Sequence, residues 1–425
     1  MIIERVETVS DFESLGTAWD AVYDHDPEAQ FFLSRKWLAG VLNTYPGQWM
    51  VLVARGADGR CLGFLPLQLK TVWSERRQRL RNELHFAGRL FWADYGGILC
   101  LPDHEEAVLG AFASYLKQMN WSHIYLKNFR ISDRRFGLFM EPFADERLIV
   151  ESLTRIINDG QTDNLLCPYI DLPDTFDAYL DQRLGSNTRQ TIRGFVRKIE
   201  SSSEYTITTT TAATQSRDVL ILEQLWGNMW RSLKGSDTQR LATKYGMIVA
   251  RGLSDGLVHM PILWHREVPI FVLASFVDWR KSRLLPFMTA RNEDFRDHSA
   301  GFRNLSVGLV IHAHSIRWAI EHGIKTYDLL RGNEPYKYSL GAVDVRLKYP
   351  LIRARSGTNL NGSLDPGCIG EALRIADDLA RRKLTREAAT ACRQILATLP
   401  EQETAKRLLN ALADDSSNPA HKAGT

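Results

Sequence analysis

The chain has 425 residues, with 53 Lys and Arg against 50 Asp and Glu, a net charge of +3 and 44% apolar residues. That length exceeds one ordinary core and predicts two domains with an appendage. The small, mixed-sign charge excludes a general nucleic-acid binder while leaving room for a local basic face. Five widely spaced cysteines, Cys61, Cys100, Cys167, Cys368 and Cys392, contain no CxxC pair to suggest zinc or a redox dithiol, and they fit a reducing cytoplasm.

Met1 to Ser10 lacks the basic and apolar regions of a signal peptide, and the longest apolar stretch, Val268 to Val277, is too short to span a bilayer. A cytoplasmic protein without a transmembrane segment is expected. In chain order, Trp49 to Leu69 reads as two strands joined at Gly56-Ala57-Asp58-Gly59, whose Asp-Gly is a strong hairpin signal. Asp94 to Leu101 reads as a strand, His104 to Gln118 as an amphipathic helix and His123 to Phe129 as a closing strand. The polar, turn-rich run Asp159 to Asn164 marks a boundary, giving a first domain over 1–162 and a second over 163–355.

The helix predicted from Ser186 to Glu200 carries Arg189, Arg193 and Arg197 at i,i+4 spacing, which stacks three guanidinium groups on one face. Such a face suits a phosphate or sugar nucleotide, and equally an ordinary solvated surface. Trp226, Trp230 and Arg231 share a helical face and fit either an acceptor pocket or core packing, the plainer reading. Val258 to Trp264 and Pro269 to Val277 form a hairpin around His265-Arg266-Glu267, and Arg283 to Thr289 is a strand. With a helix from Gly308 and a strand from Ile324, this repeats the plan of the first half. Ser356 to Pro366 reads as a linker (356–366). In the helical segment 367–413, Ala376, Leu379, Glu387-Ala388, Leu396 and Pro400 resemble one degenerate tetratricopeptide unit. A single unit cannot bury its own apolar face, so it must pack on the body or on a protein partner. Residues 414–425 read as disordered.

The densest signal lies between Ser306 and Gly341. Leu309, Val310, Ile316, Ala319 and Ile320 keep a helical period, and Gly323 supplies the stop. The helix start, with Arg303, Asn304, Ser306 and Gly308, offers unpaired N–H groups and a glycine for close approach, which makes it a pyrophosphate seat. The following strand, Ile324 to Leu330, delivers Asp328, Arg331, Glu334, Tyr336 and Lys337 to its end and loop.

This succession of a helix, Tyr327-Asp328-Leu329-Leu330-Arg331-Gly332, Glu334 and Tyr336-Lys337 resembles the C-terminal signature of the CelD-type acetyltransferases. These are a branch of the GNAT superfamily linked to cellulose and exopolysaccharide biosynthesis. It is also similar to the Fem-type transferases, whose Phe/Tyr-Lys with a following aromatic or aliphatic residue and glycine is echoed by Tyr336-Lys337 and Leu340-Gly341. The resemblance covers roughly Phe31 to Leu351. It implies an α/β (α+β mixed-sheet) fold of two tandem GNAT-like domains, the second catalytic. It further implies acetyl-CoA or another acyl-CoA as donor, no metal, and an amine acceptor such as an amino sugar of an envelope polysaccharide. The Fem-like alternative is a charged-tRNA donor; a third reading is a non-catalytic scaffold acting through the helical tail. The usual phosphate loop, Arg/Gln-x-x-Gly-x-Gly/Ala, is not intact, and Arg303, Ser306 and Gly308 are its nearest equivalents.

Acyl transfer to an amine needs a base for the ammonium proton and a donor for the tetrahedral oxyanion. Glu334 is expected as base, Lys337 as oxyanion or phosphate contact, Tyr336 as positioning group or acid, and Asp328 as support. The plainer alternative is a salt-bridged turn. His298, His312, His314 and His322 form no metal-binding motif, and no GxSxG elbow is present, so direct transfer is expected.

Overall fold

The computed structural model describes residues 1–44, 48–88, 93–295 and 306–417. The chain divides into two units, Met1–Thr154 with Leu347–Thr425, and Arg155–Arg346.

The strands of the first unit are β1 (Ile2–Val6), β2 (Trp49–Arg55), β3 (Cys61–Ser74), β4 (Arg79–Phe86), β5 (Leu99–Cys100), β6 (His123–Tyr125) and β7 (Leu148–Ser152), of which β2 and most of β3 are continuous apolar runs buried on both faces. The Asp58-Gly59 turn joins β2 and β3 as expected, with Gly59 at φ +79°. The sheet runs β1-β2-β3-β4-β6, then the strand Pro350–Ala354, then β7, with β5 on β3. Only β4 and β6 are parallel among these named pairs. Helices α1 (Val9–Ser14), α2 (Gly16–His25) and α3 (Arg35–Thr44) accompany one face, where Trp19 of α2 stacks on Phe64 at 4.3 Å. α4 (Glu105–Leu116) lies on the other face, where Val108 fills the space left by Gly63. α5 (Asp133–Met140) is tied in by Arg135, only 2% exposed, which holds Asp26 at 2.8 Å and Glu105 at 2.7 Å.

The tail is a three-helix layer, Ile369–Arg381, Thr385–Thr398 and Glu403–Ser417, whose apolar face closes over Leu80 and Trp73 of the first unit's sheet. The Gln394 amide accepts from Leu80 N at 2.7 Å and donates to Leu80 O at 3.2 Å. The expected linker 356–366 is packed rather than free. Asn82, wholly buried, receives Asp365 N and the Asn359 amide on its Oδ1 at 2.8 and 3.1 Å. The expectation of disorder from 414 onward is corrected for 414–417, which continue the last helix; residues 418–425 lie outside the described residues. The strand at 350–354, read from sequence as the end of the second domain, completes the first unit's sheet instead.

The second unit begins with a ribbon, β8 (Ile156–Ile157) and β9 (Thr162–Asp163), followed by β10 (Leu166–Asp171), α6 (Phe176–Arg183) and α7 (Ser186–Ser201). Next come β11 (Tyr205–Thr209), α8 (Gln215–Lys234), α9 (Thr238–Ser254), β12 (Val258–His259), β13 (Pro261–His265), β14 (Val268–Asp278) and β15 (Arg283–Arg291). α10 (Val307–Glu321), β16 (Thr326–Asp328), α11 (Pro335–Ser339) and β17 (Val343–Arg346) complete it. The order is β11-β13-β14-β15-β16-β10-β17, with β12 on β14. The plan therefore recurs. Each unit has an antiparallel meander, one parallel pair bridged by a helix, and a strand from a distant part of the chain inserted before the last position. Both units are mixed α/β sheets, as expected. Gly323, at φ +74°, ends α10 in a conformation that a side chain would strain. Among the described residues no helix is long and apolar enough to cross a membrane.

Candidate active site

β15 and β16 pair in parallel only at Arg283–Thr326 and Leu284–Tyr327. Beyond that point β15 continues along β14 to Arg291, whereas β16 ends at Asp328. The facing edges therefore part, leaving backbone groups without a strand partner among the described residues. α10 connects the two strands. Its N-cap, Ser306, makes no side-chain capping bond, and a Cβ at Gly308 would meet the Phe271 ring only at 3.8 Å. The helix start thus tolerates a side chain sterically and presents its first-turn N–H groups without a side-chain cap. Arg303, Asn304 and His298 lie outside the described residues.

One turn further, His312 is 3% exposed and its Nδ1 lies 2.7 Å from the Tyr327 hydroxyl, itself fully buried. Burial first, and the nearby Lys337 charge second, push the His312 pKa down to about 4, so the imidazole is neutral at pH 7. Burial likewise raises the Tyr327 phenol well above its ordinary range. The Tyr336 ring lies 5.8 Å from that of His312. Although 44% of Tyr336 is exposed, desolvation of its phenol and the Glu334 charge keep it neutral.

The loop after β16 is stiff for reasons written in its residues. Asp328, 1% exposed, accepts from Leu330 N at 3.1 Å and supports Leu330 at φ +57°. Gly332 sits at φ +98°, a conformation that strains any side chain, and a Cβ there would also push aside the Glu334 carboxylate, 2.6 to 2.9 Å away. Leu329 N and Gly332 N donate to Pro168 O and Leu166 O at 2.9 and 2.8 Å, latching the loop to β10. Lys337 is 4% exposed; its ammonium donates to Arg331 O at 2.8 Å and Gly332 O at 2.9 Å and lies 3.0 Å from Glu334 Oε2. The two carbonyls take two of its three N–H groups, whereas Glu334 Oε2, although within ion-pair distance, makes no hydrogen bond among the described residues. The ammonium thus faces the loop carbonyls and Glu334, whose side chain stays 35% exposed.

Glu334, Tyr336 and Lys337 therefore share one short stretch of loop and helix, and Asp328 props the turn that precedes it. The remaining expected residues lie on other elements. Arg189 and Arg193 both reach Asp181 of α6 at 3.1 Å, clamping α6 to α7, while Arg197 is exposed. Trp230 packs beside Trp226 at 6.1 Å in the core under α8 and α9, and Arg231 is exposed and bonded to Asn228 at 2.8 Å. Sequence reasoning missed the His312–Tyr327 pair. Its one available signal was that His312 falls four residues after Gly308, on the same face of α10.

No curated protein matches the chain. Among solved structures, a conserved protein of unknown function from Bacteroides thetaiotaomicron is 11% identical over 82% of this chain and 98% of that one, with a TM-score of 0.46. L-PGS from Bacillus licheniformis is 11% identical over 80% and 92%, with a TM-score of 0.45. A tandem GNAT protein from the clavulanic acid biosynthesis pathway is 12% identical over 83% and 98%, with a TM-score of 0.42. The segment that carries α10, β16, the stiff loop and Tyr336 falls within residues 186–338, which match the family model of the acetyltransferase (GNAT) domain.

Proposed function

We propose that the chain is an acyltransferase that moves an acyl group, acetyl in the first instance, from acyl-CoA to an amine, with the chemistry in the unit Arg155–Arg346. The observation that carries this reading is the parting of β15 from β16 between an uncapped helix start and the Glu334–Tyr336–His312 cluster. In this reading the CoA phosphates lie against the start of α10 at Ser306 and Gly308, with Arg303 and Asn304 contributing from the preceding segment. The thioester arm lies between the strands, where open backbone edges hydrogen-bond its amides.

The amine nitrogen attacks the thioester carbonyl, Glu334 takes the ammonium proton, the C–S bond breaks, and the neutral Tyr336 phenol protonates the leaving thiolate. Lys337 acts as a positioning residue that fixes Glu334 and the loop. Asp328 supports the turn, and Arg197 on α7 is available to the acceptor. An amino sugar of an envelope polysaccharide is the acceptor class favoured by the resemblance to CelD-type enzymes.

The test is isothermal titration with acetyl-CoA and CoA of the wild type and Gly308→Asp. The aspartate fits sterically but sets a carboxylate at the phosphate seat. Saturable binding to wild type that weakens at least about tenfold in the variant supports the reading. Absence of binding to wild type overturns it.

A further inference from the structure

The first unit contains a concave site that the proposed chemistry does not use. A cavity of about 340 Å³ is lined by Gln68 and Lys70 of β3, Glu83 and His85 of β4, Tyr125 of β6, and Lys127 and Tyr349. These positions share a sheet face. Gln68 pairs with His85 and Lys70 with Glu83 across the β3–β4 ladder, while Glu83 and His85 stand beside His123 and Tyr125 across the parallel β4–β6 pair. Further along β3 the same face is apolar, with Leu62 and the Phe64 ring that stacks on Trp19. The face changes character where the helical cover ends.

A half-solvated sheet also shows polar residues on one side, but a solvated face does not bury them. Gln68 is 1% exposed and Glu83 7% exposed. Burying a carboxylate costs several kcal/mol unless it is paired, and here Arg81 at 2.7 Å and His85 at 3.2 Å hold Glu83. These partners draw its pKa below the usual carboxylate range despite desolvation. His85, Tyr125 and His123 stand as near-parallel plates, with neighbouring rings 5.2 Å apart at 14° and 5.6 Å apart at 7°. Side chains rise roughly perpendicular to a sheet, so the rack presents ring edges rather than aromatic faces; Tyr125 and His85 line the cavity, His85 Nε2 being held by Glu83, while His123 Nδ1 lies 2.9 Å from Ser122 Oγ. Its floor is a rigid row of hydrogen-bonding groups.

The lining holds two lysines and one glutamate, with Lys127 Nζ lying 5.9 Å from the centre of the Tyr349 ring. The Glu83 carboxylate is already neutralised by Arg81, whereas Lys70 and Lys127 both line the cavity. Among the described residues Lys70 makes no ion pair. Two ammonium groups over a floor of amide, phenol and imidazole edges match a ligand with an anionic group and several hydroxyls. The volume is that of a single sugar-sized molecule, at the lower end for small-molecule pockets. From this juxtaposition we propose that the first unit binds a small polyhydroxylated anion, a phosphorylated or carboxylated monosaccharide, at the Lys70–Glu83–Tyr125–Lys127 cavity.

The test is isothermal titration of the full chain, at low salt and without acyl-CoA, with glucose 6-phosphate, glucuronate and inorganic phosphate. Saturable binding of one of the two sugar anions is expected. Lys70→Met should weaken it at least about tenfold, and Gln68→Leu should weaken it without altering the melting temperature by more than a few degrees. Binding of inorganic phosphate as tightly as the sugars would overturn the polyol part of the proposal. Absence of saturation by both sugars up to about 10 mM, or equal affinity in wild type and Lys70→Met, would overturn the site itself. Neither result depends on acyl-CoA binding, so this site and the proposed transferase reaction stand or fall separately.

Discussion

Replacing Lys337 with methionine separates a framework role from a chemical one. Methionine keeps the length and apolar stem of the side chain and deletes its donors. The ammonium makes two charged hydrogen bonds, to Arg331 O and Gly332 O, and neutralises Glu334. Hydrogen bonds to a charged group contribute about 1.5–3 kcal/mol each, so losing two should cost about 3–5 kcal/mol. For a unit of this size each kcal/mol lowers the melting temperature by about 2–4 °C, which predicts a fall of about 10 °C. Thermal unfolding followed by circular dichroism near neutral pH reads it directly, with urea titration to confirm an unchanged m-value. Activity should fall as well, because Glu334 loses its anchor. A variant that melts within about 2 °C of wild type yet is inactive would refute the framework role and return the ammonium to the reacting atoms.

His312 gives a pH signature: its folded pKa of about 4 lies below the ordinary value of 6.5, so the unfolded chain takes up a proton first as pH falls. The stability from keeping this imidazole neutral is complete above about pH 6.5 and drains away down to pH 4, by about 3 kcal/mol in all; His312→Gln should flatten that part of a urea-midpoint-against-pH curve. Tyr336→Phe should lower kcat by about tenfold to a hundredfold with KM for acyl-CoA little changed, and an unchanged kcat removes the phenol from proton transfer. Arg135→Leu leaves Asp26 and Glu105 buried without their cation and should cost about 3–5 kcal/mol in urea unfolding; a cost below about 1 kcal/mol would mean those carboxylates find other partners.

What the sequence disclosed was local. Asp58-Gly59, the Gly323 stop and the 3.6-residue period of α10 each encode their structure within a few residues, and each formed as expected. The cluster of Asp328, Glu334, Tyr336 and Lys337 was legible because ten residues of chain contain it. The contacts of Lys337 were not, because they depend on two backbone carbonyls in a loop that holds Leu330 and Gly332 at positive φ. His312 and Tyr327 meet only once α10 has folded back over β16. The partner of the α7 arginines was hidden for the same reason: i,i+4 spacing shows that Arg189 and Arg193 share a face, but not that Asp181 on α6 faces them.

The inserted strand Pro350–Ala354 bears on how the chain is made. On a ribosome, β6 and β7 emerge with an empty lane between them, and the residues that fill it are not synthesised until all of Arg155–Arg346 has followed. The later unit already holds every strand it needs when Arg346 appears, so it can finish first, while the earlier one waits with two open edges. A nascent chain halted between Arg346 and Pro350 would carry one finished sheet and one unfinished sheet exposed to stray strand pairing. The order of completion runs against the order of synthesis.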